Sequence, residues 1–278
     1  MKQEEIKKAV REGYGKIAQK GGSCCGPSTS CCGPANAVTQ ISKNIGYRPE
    51  DLQAVPEGAN LGLGCGNPVA LASLKLGETV VDLGSGAGFD CFLAANAVGK
   101  KGHVIGVDMT PEMLDKAREN ARKGGYRQVE FRLGEIENLP VAENTADIII
   151  SNCVINLAPD KERVFAEAFR ILKPGGRLMV SDLVLLSELP ASLKESIAAY
   201  VGCISGAIGK DLYLDAIKTA GFQNVKVIDE TTYPIEELIS HPAANDAGVD
   251  FTTMGKTLNI RSAAVASIKV YAVKPDVH

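Results

Sequence analysis

Three glycines at alternate positions, Gly84, Gly86 and Gly88, follow an apolar run that ends in Val80, Val81 and Asp82. A strand that breaks into glycines, with a helical pattern starting near Phe89, can bring its backbone amides close to a ligand because no Cβ stands in the way. The next apolar segment, His103–Val107, closes on Asp108. That acid lies about 20 residues beyond the last glycine, where a carboxylate is placed to accept hydrogen bonds from ribose hydroxyls. The Gly-x-Gly-x-Gly spacing differs from the Gly-x-Gly-x-x-Gly of the dinucleotide fingerprint. Strand, turn, helix, strand and acid together predict a nucleoside-bearing ligand; the plainer alternative is a tight strand–helix turn.

Sulfur is the second chemical signal. Cys65 stands in Gly64-Cys65-Gly66, Cys153 follows the apolar run Ala146–Ser151, and Cys203 stands in Gly202-Cys203-Ile204-Ser205-Gly206. In an open parallel sheet, ligands bind outside the carboxyl ends of the strands, and Cys153 falls there. A cysteine among apolar neighbours is most often a core residue, which is the reading for Cys91. Cys65 has no apolar pattern to join and the Cys203 segment breaks a helix; their glycine neighbours suggest exposed sulfur in a close-approach site. The wide separation of the three excludes an ordinary zinc knuckle, which uses close pairs. Cys24, Cys25, Cys31 and Cys32 lie in a seven-residue repeat, Ser23–Pro27 (SCCGP) returning as Ser30–Pro34. That repeat reads as a mobile tail whose thiols bind soft metals adventitiously, as accessory thiols for the site, or as a zinc site of poor geometry.

The elements that must position these groups follow from periodicity. Apolar residues at helical spacing predict a helix over 3–19. Asn67 and Pro68 read as helix cap and first position. Strands are expected at 79–83, 103–108, 128–133, 146–151 and 177–183, with helices at 88–98, 110–123 and 160–172 between them. Lys173–Gly176 reads as a tight turn. Strands alternating with helices predict an α/β fold with a parallel sheet covered on both faces. Beyond residue 184, helices are expected at 190–202 and 210–220, and strands at 225–228 and 264–273 as an antiparallel pair; residues 233–258 show no pattern. The chain has 278 residues, 45% hydrophobic and 23% charged, with a net charge of −3. It carries no basic block, so neither nucleic acid nor an anionic membrane is expected as a partner, and no apolar run approaches the ~20 residues of a span. The first residues lack the apolar centre of a signal peptide, which makes the cytoplasm the expected compartment. Eight cysteines in 278 residues are too few for a disulfide scaffold.

Asp82, Gly84, Gly86 and Gly88 fill the D-x-G-x-G-x-G form of motif I in class I S-adenosylmethionine-dependent methyltransferases. With Cys65 in GCGNP, Cys153 in SNCVIN and Cys203 in GCISGA, nearly the whole chain resembles the arsenite S-adenosylmethionine methyltransferases. The resemblance implies a Rossmann-like class I methyltransferase fold, a mostly parallel seven-stranded sheet with helices on both faces. It implies S-adenosylmethionine as methyl donor and trivalent arsenic (arsenite, methylarsenite) as substrate, held as a trithiolate by Cys65, Cys153 and Cys203. Soft arsenic suits thiolates, and its lone pair needs no general base; His103, His241 and His278 occupy no recognisable catalytic context. The family scheme passes through pentavalent methylarsenic, reduced by protein thiols as a disulfide forms, with a thioredoxin- or glutathione-type reductant resetting the enzyme. Under it, Cys24, Cys25, Cys31 and Cys32 would capture arsenite, relay it or resolve the disulfide.

The implied cofactor contacts are Asp82, Gly84, Ser85, Gly86, Gly88, Asp108, Met109, Glu135, Ile136 and Asn152. Of these, Glu135-Ile136 departs from the Asp-Ala usual among relatives at the adenine position. The expected layout is residues 1–67 as N-terminal helix, cysteine-rich loop and lid, 68–183 as cofactor-binding core, and 184–278 as arsenic-binding helices and sheet-completing strands. Two other readings remain open. One is a methyltransferase acting on a small carbon or oxygen nucleophile of quinone or sterol type, which leaves three cysteines unexplained. The other is a thiol-rich protein that sequesters soft metals, which leaves the glycine turn idle.

Overall fold

The computed structural model describes residues 3–20, 35–189, 200, 205–234 and 264–276. Cys203 and the repeat cysteines Cys24, Cys25, Cys31 and Cys32 lie outside the described residues. So does most of the helix expected at 190–202 and of the patternless 233–258.

Among the described residues seven strands form one sheet: β1 (Thr79–Leu83), β2 (His103–Asp108), β3 (Val129–Leu133), β4 (Ala146–Asn152), β5 (Leu172–Leu185), β6 (Gln223–Pro234) and β7 (Ala264–Val273). Their order is β3-β2-β1-β4-β5-β7-β6. The pairs from β3 to β5 are parallel, and β7 pairs antiparallel with both β5 and β6. The helices are α1 (Gln3–Lys20), α2 (Ala35–Asn44), α3 (Pro49–Gln53), α4 (Pro68–Leu71), α5 (Phe89–Val98), α6 (Pro111–Gly124), α7 (Lys161–Ile171) and α8 (Lys210–Thr219).

Both sheet faces are dry, which is why the central strands read as continuous apolar runs. Val81, Leu83, Ile149, Leu178 and Val180 pack with Phe165 of α7 and Tyr213 and Ile217 of α8. Val80, Ile148, Ile150 and Met179 pack with Phe92 of α5 and Leu114 of α6. The chain begins the sheet at β1, runs outward to β3, then returns to β4 on the other side of β1. The crevice at that reversal is where open α/β sheets bind ligands.

Two local readings change. Lys173–Gly176 lies within β5, and the β4–β5 register shifts between Ala146 and Ile148 to absorb it. The strand expected at 225–228 extends over Gln223–Pro234, because pairing with β7 continues past its apolar centre.

Candidate active site

The turn after β1 and the end of β4 open into one cleft of about 1080 Å³, its mouth included. In the turn, Gly84 and Gly86 both have positive φ, 69° and 52°. A Cβ on Gly84 would meet Val154 Cγ2 at 2.3 Å, whereas one on Gly86 would meet nothing among the described residues within 4 Å. Gly84 is therefore fixed by packing, and Gly86 leaves a cradle open at the cleft. Gly88 does not line the cleft; a Cβ there would meet Phe131 and Phe92 at 2.8 Å. That close approach accounts for the glycine by the packing of α5.

Asp108 ends β2 and accepts from Gly86 N at 2.9 Å and Thr110 N at 2.8 Å, so the acid holds the turn it faces. Burial raises its carboxyl, and those backbone bonds oppose the shift. Met109, Ile136, Ser85 and Asn152 also line the cleft. Glu135 is not among the lining residues: its carboxylate pairs with Lys7 at 2.7 Å and Arg11 at 3.5 Å of α1. Glu137, two positions on, lines the cleft instead and has the Lys7 ammonium at 3.2 Å. Burial would lower that ammonium, but Glu135 and Glu137 more than offset it and raise it.

Asp82 and Asp90 are both buried beside the cleft. The Cys91 thiol donates to Asp82 at 3.1 Å. The Tyr47 hydroxyl donates to Asp90 at 2.6 Å. Burial first, and then the charge of Asp90, push Asp82 well above the usual carboxylate range. Burial pushes Asp90 up to about 6, against the bonds from Tyr47 and Asn152. Two destabilised carboxylates favour a cationic guest, since a nearby positive charge returns them to the ionised form.

Cys65 and Cys153, 88 positions apart in sequence, are joined by a disulfide with Cα atoms 5.8 Å apart. Cys153 takes the positive φ of 56°, rare for a residue with a side chain and a feature that clusters at functional sites. Its N–H donates to Ser181 O of β5 at 2.8 Å. The flanking glycines of Cys65 are explained by close approach: a Cβ at Gly64 would fall 2.6 Å from Asn152 Nδ2, and one at Gly66 would overlap Ser181 Oγ. An Asp182 carboxylate oxygen and the two sulfurs lie within 4.8 Å of one another. Asp182 accepts from Asn156, Leu183 N and Tyr213, and burial pushes its carboxyl up to about 7.

Sequence reasoning brought Cys65, Cys153 and the glycine turn to one place but passed over Tyr47, Asp90, Glu137 and Asp182. Asp90 carried a readable signal, an acid inside the otherwise apolar Phe89–Val98 helix. Cys91 is fully buried, as a core cysteine. No described helix is long and apolar enough to cross a membrane.

The methyltransferase domain family matches residues 74–221. The chain is 49% identical to an arsenite methyltransferase of Halobacterium salinarum, over 82% of this chain and 61% of that protein. It is 35% identical to an arsenite methyltransferase of Aquipseudomonas alcaligenes, over 82% and 65%. The chain thus spans about three fifths of the length of these curated relatives. The crystal structure of an arsenic(III) S-adenosylmethionine methyltransferase from Chlamydomonas reinhardtii superposes with a TM-score of 0.63 at 32% identity, covering 87% of this chain and 75% of that one. With a glycine turn, paired acids and paired cysteines at one switch point, the chain belongs to the S-adenosylmethionine-dependent methyltransferases, in the arsenite methyltransferase family.

Proposed function

We propose that this protein transfers the methyl group of S-adenosylmethionine to trivalent arsenic held by Cys65, Cys153 and Cys203. The single observation that carries the reading is the joining of Cys65 to Cys153, which lines the cleft built by Gly84–Gly86 and Asp108. The residues present suit the cofactor. Gly86 leaves a cradle that a Cβ would fill, Ser85 Oγ is buried with no hydrogen-bond partner among the described residues, and Asp82 and Asp90 favour a cation. Asp108 would take the ribose, Met109 and Ile136 the faces of the adenine, and Glu137 its amine. When bound, the cofactor supplies an electrophilic methyl on a sulfonium.

The protein's part is positioning and exclusion of water. Thiolates of Cys65 and Cys153, with Cys203 as third ligand, would hold arsenic with its lone pair toward the cleft. No proton leaves the attacking atom, so orientation carries the rate. The methylated product is formally pentavalent. Two electrons from the Cys65 and Cys153 thiolates would return arsenic to the trivalent state as their S–S bond forms, the state the structure holds. An external thiol reductant, one thioredoxin-type dithiol or two glutathione-type monothiols, would supply two electrons to reopen the disulfide. Such a cycle suits a reducing cytoplasm.

On this reading residues 1–67 form the N-terminal helix, cysteine-rich loop and lid, 68–183 the cofactor core, and 184–278 the arsenic-binding helices and sheet-completing strands. The lid role of α1 is supported by Lys7, Val10 and Tyr14, which line the cleft. A methyl-transfer assay with labelled S-adenosylmethionine, arsenite and dithiol, run for wild type and Cys153→Ser, tests the function. Methylated arsenic from wild type and none from the variant is expected. Cofactor binding without arsenic product would favour a carbon or oxygen substrate, and arsenite binding without cofactor binding would favour sequestration.

A further inference from the structure

We propose that Asn152, locked by Asp90 and Tyr47, is the positioning residue that seats the Cys65 loop over the cofactor cleft. The proposal rests on the reading of Cys65 as an arsenic ligand, and assigns to Asn152 a task other than touching the cofactor. Asn152 is the last residue of β4 and directly precedes Cys153. Its Oδ1 accepts from Cys65 N at 3.0 Å, and its Nδ2 donates to Gly66 O at 2.8 Å. One side-chain amide thus holds the peptides on both sides of the Cys65–Gly66 step.

The amide cannot turn over without loss. Nδ2 also lies 2.9 Å from the Tyr47 hydroxyl and 3.1 Å from Asp90 Oδ2, and the Tyr47 proton is committed to Asp90 Oδ1 at 2.6 Å. A reversed amide would set its oxygen against a carboxylate oxygen and a carbonyl. The loop sits so close that Gly64 has no space for a Cβ beside Nδ2. Asp90 stands two positions past the last turn glycine, on α5. The chain Tyr47–Asp90–Asn152–Cys65 therefore ties the cofactor turn to one of the two sulfurs. It transmits position, and no proton need move along it.

Two variants test this. Tyr47→Phe removes the hydroxyl while keeping the ring that packs edge-on to Phe89 at 4.8 Å. Asn152→Asp keeps the acceptor for Cys65 N but puts an oxygen where Gly66 O and Asp90 need a donor. At saturating cofactor, kcat for arsenite methylation should fall by about 10- to 100-fold, the scale of a small misplacement of reacting groups. Independently of arsenic, iodoacetamide should label Cys65 of the reduced protein faster in both variants, and the Cys65–Cys153 disulfide should re-form more slowly. Should Asn152→Asp fail to fold, Tyr47→Phe carries the test. Labelling and disulfide re-formation at wild-type rates would overturn the proposal. Altered labelling in a protein that never methylates arsenite would uphold the clamp and overturn the arsenic reading.

Discussion

Adding one methyl group at Gly86 should separate ligand binding from folding, with Gly84 as the contrast. Both residues hold positive φ, 52° and 69°, where an L-residue costs roughly 1–2 kcal/mol. In Gly86→Ala that is the cost to folding, since the new Cβ meets nothing among the described residues within 4 Å. In Gly84→Ala the Cβ lies 2.3 Å from Val154 Cγ2, and overpacking adds about 1–3 kcal/mol, for a total on the order of 2–5 kcal/mol. Urea unfolding should therefore rank Gly84→Ala below Gly86→Ala. Calorimetry with S-adenosylmethionine should show the Gly86→Ala protein folded but at least about tenfold weaker in binding, or 1.4 kcal/mol, because its methyl occupies the cradle. Wild-type affinity in folded Gly86→Ala would refute the assignment of this turn to the cofactor.

Three further outcomes are expected. Burial lifts the Asp182 carboxyl from its ordinary 3.8 to about 7. The folded state therefore holds a proton that the unfolded chain has lost between those values, and stability falls as pH rises through that window. At about 1.36 kcal/mol per unit, Asp182→Asn should gain up to about 4 kcal/mol on wild type between pH 4 and pH 8; a constant difference by denaturant titration would contradict this. A cationic ligand beside Asp90, raised to about 6, should lower that value and release protons. Calorimetry near pH 6 in buffers of different ionisation enthalpy should then disagree for wild type and disagree less for Asp90→Asn, where of the two only Asp82 remains to release a proton. Lys274 Nζ caps Phe169 O, Leu172 O and Asn144 Oδ1 at 2.9, 2.7 and 3.0 Å. Lys274→Met should strip these bonds and cost about 1–3 kcal/mol in urea unfolding with little effect on cofactor affinity.

The core was legible because its strands are dry on both faces. His103–Asp108 and Ala264–Val273 fall where their apolar runs placed them. β6 was read short because it is an edge strand and exposes Ile228, so pairing rather than burial sets its ends. The glycine turn follows from a motif whose glycines have steric reasons, whereas the Cys65–Cys153 meeting was legible only through the resemblance to the arsenite methyltransferases. The choice between Glu135 and Glu137 was legible in neither way, because it is made by Lys7, 128 positions from Glu135 in the chain. Asn152 and Tyr47 are equally silent: a side-chain amide and a hydroxyl acquire their task only when β4, α5 and the Cys65 loop converge.

The most direct test is a single turnover without external thiol. Protein reduced and freed of dithiol is mixed with arsenite and labelled S-adenosylmethionine, then quenched for arsenic speciation and for mass-spectrometric mapping of cysteines. The account predicts one methylated arsenic for each Cys65–Cys153 disulfide formed, and neither product when the cofactor is left out. Methylated arsenic with Cys65 and Cys153 still free, or the disulfide formed with no methylated arsenic, would contradict it.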